Sequence, residues 1–256
     1  MNAIVKAQFS VQPFLLDQGI SYRAAIGLVV LATDHTIEHE WRNLLRLDGV
    51  GFYECRLANS PDISLESLAE MEKDIAASVA LIRPGERIDV VAFGCTSGAM
   101  VIGEENVFKR IREARPGVAC TTPITAALAG LRALKVKRIA LLTPYVRSVS
   151  EWMASYIEDR DIQVVRAGSF NHADDNEVAR IDAKSIRDAV LDLGSDESVE
   201  AVFVSCTSLR VASQVTELEQ LLGKPVLSSN HAMAWHALRL AGINDCLPQL
   251  GRLYKI

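Results

Sequence analysis

At 256 residues the chain is long for a single core, and a division into two domains of ordinary size is expected. A net charge of −5 and a pI near 5.6, with no basic cluster beyond Lys135-Val136-Lys137-Arg138, offer no electrostatic footprint for nucleic acid. The longest strongly apolar run, Ala24 to Ala32, falls far short of the ~20 residues a bilayer span requires.

These totals read as a soluble protein with small-molecule partners, neither nucleic acid nor membrane among them. The first residues show no basic segment leading into a long apolar stretch and cleavage site, so no secretory signal is read. Cysteines at 55, 95, 120, 206 and 246 form no CxxC pair, which fits a reducing cytoplasm.

Met1 to Arg23 carries little pattern beyond a possible surface arm. Ala25 to Ala32 is a continuous apolar run of strand length, as a parallel strand covered on both faces requires. Thr33-Asp34-His35-Thr36 turns it into a helix ending near Leu47, with Asp34 or Thr36 as cap. Val50 to Arg56 is a second strand, followed by a helix with Leu68, Ile75, Val79 and Ile82 on one face. Asp89 to Gly94 is the third strand, Glu104 to Glu113 a helix, and Val118 to Thr121 the fourth strand. Thr122-Pro123 then supplies a cap with proline at the first helical position.

The pattern then repeats. Strands are expected at Lys137 to Thr143, Ile162 to Ala167, Glu200 to Ser205 and Pro225 to Ser229. Helices lie between them, and a last helix, capped by Asn230, runs to Ala241. Strand–helix alternation at this spacing predicts two similar α/β domains with parallel four-stranded sheets and ligands at the carboxyl ends of the strands. The expected division is 1–122 plus 231–256 for the first domain and 123–230 for the second.

Two strands end in the same tripeptide, Cys95-Thr96-Ser97 and Cys206-Thr207-Ser208. A cysteine at a strand's carboxyl end, with Thr and Ser as helix caps directly after it, would face backbone N–H groups and the positive end of a helix dipole, which favour thiolate. One such cysteine is most simply a buried packing residue; the duplication points to paired chemistry at a single carbon.

Other motifs are weaker. His35-Thr36-Ile37-Glu38-His39 matches H-x-x-E-H but falls in an ordinary strand-to-helix turn and lacks a similarly placed third ligand, so no metal is expected. No G-x-G-x-x-G follows the first strand, so a dinucleotide cofactor is unsupported. His172 and His231 could serve a cysteine hydrolase as base, but the second cysteine explains more.

The twin Cys-Thr-Ser motifs, Thr121-Thr122-Pro123-Ile124-Thr125-Ala126, Leu142-Thr143-Pro144-Tyr145 with Ser150-Glu151, Asp175-Asn176 and Ser228-Ser229-Asn230 together resemble the aspartate/glutamate racemase superfamily. The likeness is to its maleate isomerase, arylmalonate decarboxylase and ectoine-utilisation branch, and it runs from Ile26 to about Arg252. It implies a cofactor-independent enzyme whose active site lies between two pseudo-symmetric halves, with Cys95 and Cys206 as the catalytic pair. It further implies a substrate carboxylate held by Thr96, Ser97, Tyr145 and Thr207, with Ser208 beside them, and a substrate contact from Asn176.

Arylmalonate decarboxylases resemble this chain but carry glycine for the first cysteine, so the resemblance favours an isomerase or racemase of a small carboxylate. Decarboxylation and carboxylate binding without catalysis are the alternatives. Asp34 stands where maleate isomerases have asparagine, and His231 where glutamine is common. A carboxylate at position 34 would repel a second carboxylate and suit an amino-acid-derived substrate; its other role would be to cap the helix. The sequence does not specify an oligomeric state, though homo-oligomers are common among enzymes of this size.

Overall fold

The computed structural model describes residues 9–256. The first half contains β1 (Ala24–Leu31), α1 (Ile37–Leu44), β2 (Val50–Leu57), α2 (Leu65–Glu70), α3 (Ile75–Ala80), β3 (Val90–Gly94), α4 (Thr96–Ile102), α5 (Glu104–Ala114), β4 (Ala119–Thr121) and α6 (Pro123–Ala133). The second contains β5 (Arg138–Tyr145), α7 (Arg147–Glu158), β6 (Gln163–His172), α8 (Asp175–Val178), α9 (Ala183–Gly194), β7 (Ala201–Val204), α10 (Val215–Leu222), β8 (Val226–Ser228) and α11 (Ser229–Leu240).

All strand pairs within the two sheets are parallel. The sheets are separate and have the same order, β2-β1-β3-β4 and β6-β5-β7-β8. Every residue of β1 is buried, as are all of β3 and β7, which is why these strands read as unbroken apolar runs rather than alternating ones.

Helices α6 and α11 follow the last strand of each sheet and pack on one another. Helix α11 also lies against β3 and β4, while Gly130 of α6 closes on Leu227 of β8. The pair therefore sits between the sheets and ties each half to the other. Its buried Met233, Ala234, Ala237 and Leu238 supply the core there.

Several local expectations change. The helix predicted around Leu68 to Ile82 is broken between α2 and α3, yet Leu68, Ile75, Val79 and Ile82 all remain buried. Ser228, not Asn230, caps α11, its hydroxyl accepting from the His231 N–H at 3.3 Å. Asn230 is two residues too far in; its amide is committed elsewhere. Phe9, Phe14, Leu15 and Leu16 project from the body, with side chains at least three-quarters exposed.

Candidate active site

Gly94 ends β3 beneath the first cysteine. A Cβ there would meet the Val29 carbonyl oxygen at 2.7 Å, so only glycine lets β3 close on β1 at this level. Cys95 follows, in extended conformation, and is itself the N-cap of α4: its Sγ accepts from the Gly98 N–H at 3.2 Å. The expectation that Thr96 and Ser97 would cap is thus shifted by one residue; they occupy the first helical turn. Gly98 also has to be small, because a Cβ would lie 2.9 Å from Cys95 Sγ and 2.5 Å from Met71 Cε.

Cys206 lies just past the end of β7, after Ser205, and starts no helix. The next helix, α10, begins only at Val215. Its Sγ accepts from the Ser208 N–H at 3.4 Å.

Both thiols face one small cavity between the halves, with about 390 Å³ of atom-free space including its mouth. The second half contributes Tyr145, Asp175, Cys206 and Thr207; the first contributes Cys95 and Ser97, with Asn59, Ser60 and Asp62 of the loop after β2 and Met71. The Tyr145 hydroxyl is turned toward Cys206 and Ser97. Among the described residues that line this space are two aspartates and no lysine, arginine or histidine.

Four residues expected at the site stand behind its wall. Thr96 Oγ1 is 2.8 Å from Ser229 Oγ, and Ser208 Oγ donates to Asp175 Oδ1 at 2.8 Å. Asn176 lies one position along α8 from Asp175, which takes the inward place; its Oδ2 accepts from Thr33 Oγ1 at 2.7 Å. Asp34 is buried beneath the cavity, where Oδ1 accepts from the N–H groups of Thr36 and Ile37 at 2.7 and 2.8 Å. Its Oδ2 is buried without a partner. His172 pairs with Glu177 on the surface, and His231 bonds the Leu250 carbonyl at 2.7 Å and packs on Tyr254, so neither serves the thiols. Glu38 of the H-x-x-E-H match pairs with Arg56.

The electrostatics reverse the expectation of resting thiolates. Burial pushes both thiols up to about 12, and the nearby Asp175 carboxylate adds to the rise at each. The N–H groups of Gly98 and Ser208 oppose this but do not overcome desolvation. Asp34 is raised to about 6, burial outweighing its two N–H donors. Glu40, also buried, is raised to about 7 for the same reason, against three donors.

Three acids of this region, Asp175, Asp62 and Glu40, are not among the site residues that the sequence points to. An acid at a helix position flanked by Ile37, Trp41 and Leu44, all buried, is a readable anomaly.

Residues 61–254 match the family described as arylmalonate decarboxylase. The arylmalonate decarboxylase of Bordetella bronchiseptica is 36% identical over 146 residues, a match spanning 56% of this chain and 60% of that protein's length. The maleate isomerase of Nocardia farcinica is 28% identical over 239 residues, covering 90% of this chain and 95% of that protein. A structure of a cysteine-to-serine variant of the Nocardia maleate cis-trans isomerase, holding a covalently bound succinylcysteine intermediate, superposes with a TM-score of 0.82 at 28% identity, covering 91% of this chain and 98% of that one. An arylmalonate decarboxylase crystal structure superposes with a TM-score of 0.72 at 27% identity, covering 90% and 98%.

Proposed function

Because the chain belongs to the arylmalonate decarboxylase family, we propose that it is a two-thiol isomerase acting on a small carboxylate that also carries an ammonium group. The observation that carries this reading is the placement of Cys95 and Cys206 on one small cavity, one from each half. Chemistry at a planar carbon between them has an acid on one side and a base or nucleophile on the other.

Two balanced routes fit. In the first, one thiol gives up its proton to a carboxylate and the thiolate removes the substrate's α-proton. The other thiol then protonates the opposite face, and the configuration inverts. In the second, the thiolate adds to an alkene carbon, forming a C–S bond, while the other thiol protonates the adjacent carbon. Rotation about the new single bond and reversal of both steps release the other geometric isomer. The succinylcysteine seen in the Nocardia relative favours addition there. Because burial holds the free thiols protonated, a carboxylate has to accept the first proton; of the two aspartates on the lining, Asp175 is the one whose charge acts on both sulfurs.

The ammonium group follows from charge. A dicarboxylate would enter a space already faced by Asp62 and Asp175, with no cationic side chain on its lining among the described residues. An ammonium group would pair with these acids and offset the field that holds the thiols up, so binding itself would promote ionisation. Tyr145, Ser97 and Thr207 remain to receive the carboxylate. Maleate, aspartate, glutamate, diaminobutyrate derivatives and an arylmalonate, each assayed for isomerisation, racemisation and CO2 release, test this. Turnover confined to amine-bearing substrates is expected. A preference for maleate removes the ammonium group from the reading, and CO2 release alone replaces isomerisation with decarboxylation.

A further inference from the structure

Cys206 has no helix beneath it, yet the thiol is 3% exposed and its loop is closely tied down. The ties come from α1 of the opposite half. Thr36 Oγ1 donates to the Ser208 carbonyl at 2.8 Å. Glu40 Oε1 accepts from the N–H groups of Val211 and Ala212, both at 2.8 Å. Its Oε2 accepts from Asn230 Nδ2 at 2.8 Å, and the same amide nitrogen donates to the Thr207 carbonyl at 2.7 Å. The Asn230 backbone carbonyl in turn accepts from Trp41 Nε1 at 3.2 Å.

One buried carboxylate thus meets three donors: two are loop N–H groups after Leu209, and the third is the Asn230 amide, which also holds the Thr207 carbonyl before it. A loop with no repeating backbone ladder has few other partners for these groups, and leaving them unpaired in a dry interior is costly. The charge cannot be there for packing, since an apolar side chain of similar volume would avoid the desolvation that raises its pKa.

We infer that Glu40 is a positioning residue for Cys206: from α1 of the first half it fixes, directly and through Asn230, the loop that aims the second thiol into the cavity. The inference rests on the two-thiol reading for its catalytic consequence but not for its physical content. Gln in place of Glu40 keeps an oxygen for the two backbone N–H groups and sets an amide nitrogen against the Asn230 amide nitrogen, donor to donor. That frees Asn230 and the Thr207 carbonyl without opening a cavity.

The test compares Glu40→Gln with the parent protein by iodoacetamide labelling, with Cys95 and Cys206 followed separately by peptide mass spectrometry. Cys206 should label about tenfold faster, the scale of one lost buried hydrogen bond in a local opening equilibrium, while Cys95 stays within about twofold. With a turned-over substrate, kcat should fall by about 10²-fold at little-changed KM, as a misaimed group predicts. An unchanged Cys206 rate, or equal acceleration at both thiols, overturns the inference. If Glu40→Gln does not fold, Thr36→Val carries the test through the Ser208 tie: its hydroxyl makes no cap bond to α1, and a smaller shift of the same selectivity is expected. Absence of turnover in the parent protein across all substrates removes the two-thiol reading and leaves the labelling ratio to decide the role of Glu40.

Discussion

The two Cys-Thr-Ser turns share a sequence, a position at a strand end and a cavity, but they are supported by different physics. Cys95 is held by its own neighbourhood: β3 ends beneath it, α4 begins on it, and the Gly98 N–H meets its sulfur. Cys206 is held from a distance, by Thr36, Glu40 and Asn230, with Asp175 on Ser208. The residue three places after each cysteine accounts for the difference. It is Gly98 in the first copy, where a Cβ would lie 2.9 Å from the thiol. In the second copy it is Leu209, which cannot take that place in a helical turn against the sulfur. The chain turns away, and the donor becomes the Ser208 N–H instead. A repeated motif therefore fixes chemistry more strictly than local structure.

The largest effect should come from the sulfurs themselves. Cys95→Ser and Cys206→Ser should each lower turnover by about 10² to 10⁴-fold, the usual range for a positioned acid or base, with unfolding midpoints close to the parent's. Equal losses would show that the two supports serve equal roles; near-full activity in either variant would break the pairing. Gly94→Ala sharpens the contrast at the level of the backbone. Its Cβ would strike the Val29 carbonyl oxygen, which cannot rotate away as a side chain can. A loss of about 1–3 kcal/mol in urea unfolding is expected.

The sheet pattern was legible because buried parallel strands leave unbroken apolar runs, and both four-strand sets lie where those runs lie. Of the residues the resemblance pointed to, both cysteines, Ser97, Tyr145 and Thr207 line the cavity. What sequence could not supply was direction. Whether Asp175 or Asn176 faces inward depends on the phase of α8, a helix too short to show a periodicity. The protonated state of the thiols is hidden from the sequence for a related reason. Helix N-termini are visible in sequence, but the burial that outweighs them arises only when the halves meet. The Glu40 ties are wholly tertiary, joining α1 to residues that lie in the other half of the chain.

A smaller effect concerns pH. Asp34 rises from 3.8 to about 6 and Glu40 from 4.5 to about 7 on folding. Between those values the folded chain binds more protons than the unfolded one. The stability these groups contribute is therefore complete below about pH 4 and is lost as pH rises through 6 and then 7. Asp182, Asp196, Glu200 and Asp245 are lowered instead, and act only on the acid side of about pH 4.5. Burial lowers His231 to about 4, which works in the opposite sense over part of this range, so the clean readout is a difference: between pH 5.5 and pH 8 the midpoint of thermal unfolding should shift downward more in the parent than in Glu40→Gln. A slope unchanged in the variant would show that Glu40 keeps its charge throughout, held by its three donors.

The smallest effect probes the residue that answers to Gly94 in the second copy. Ser205 is fully buried, and its hydroxyl has no partner. Its backbone is already secured, the N–H donating to the Leu142 carbonyl at 2.8 Å. β7 therefore tolerates a Cβ at the level where β3 does not. Removing the hydroxyl deletes a desolvated polar group and leaves the methylene in place. Ser205→Ala should thus be neutral or stabilising by up to about 1 kcal/mol, where Gly94→Ala destabilises. A loss above about 1 kcal/mol for Ser205→Ala would mean that the hydroxyl holds a partner under Cys206, and the second turn would then have a local support of its own.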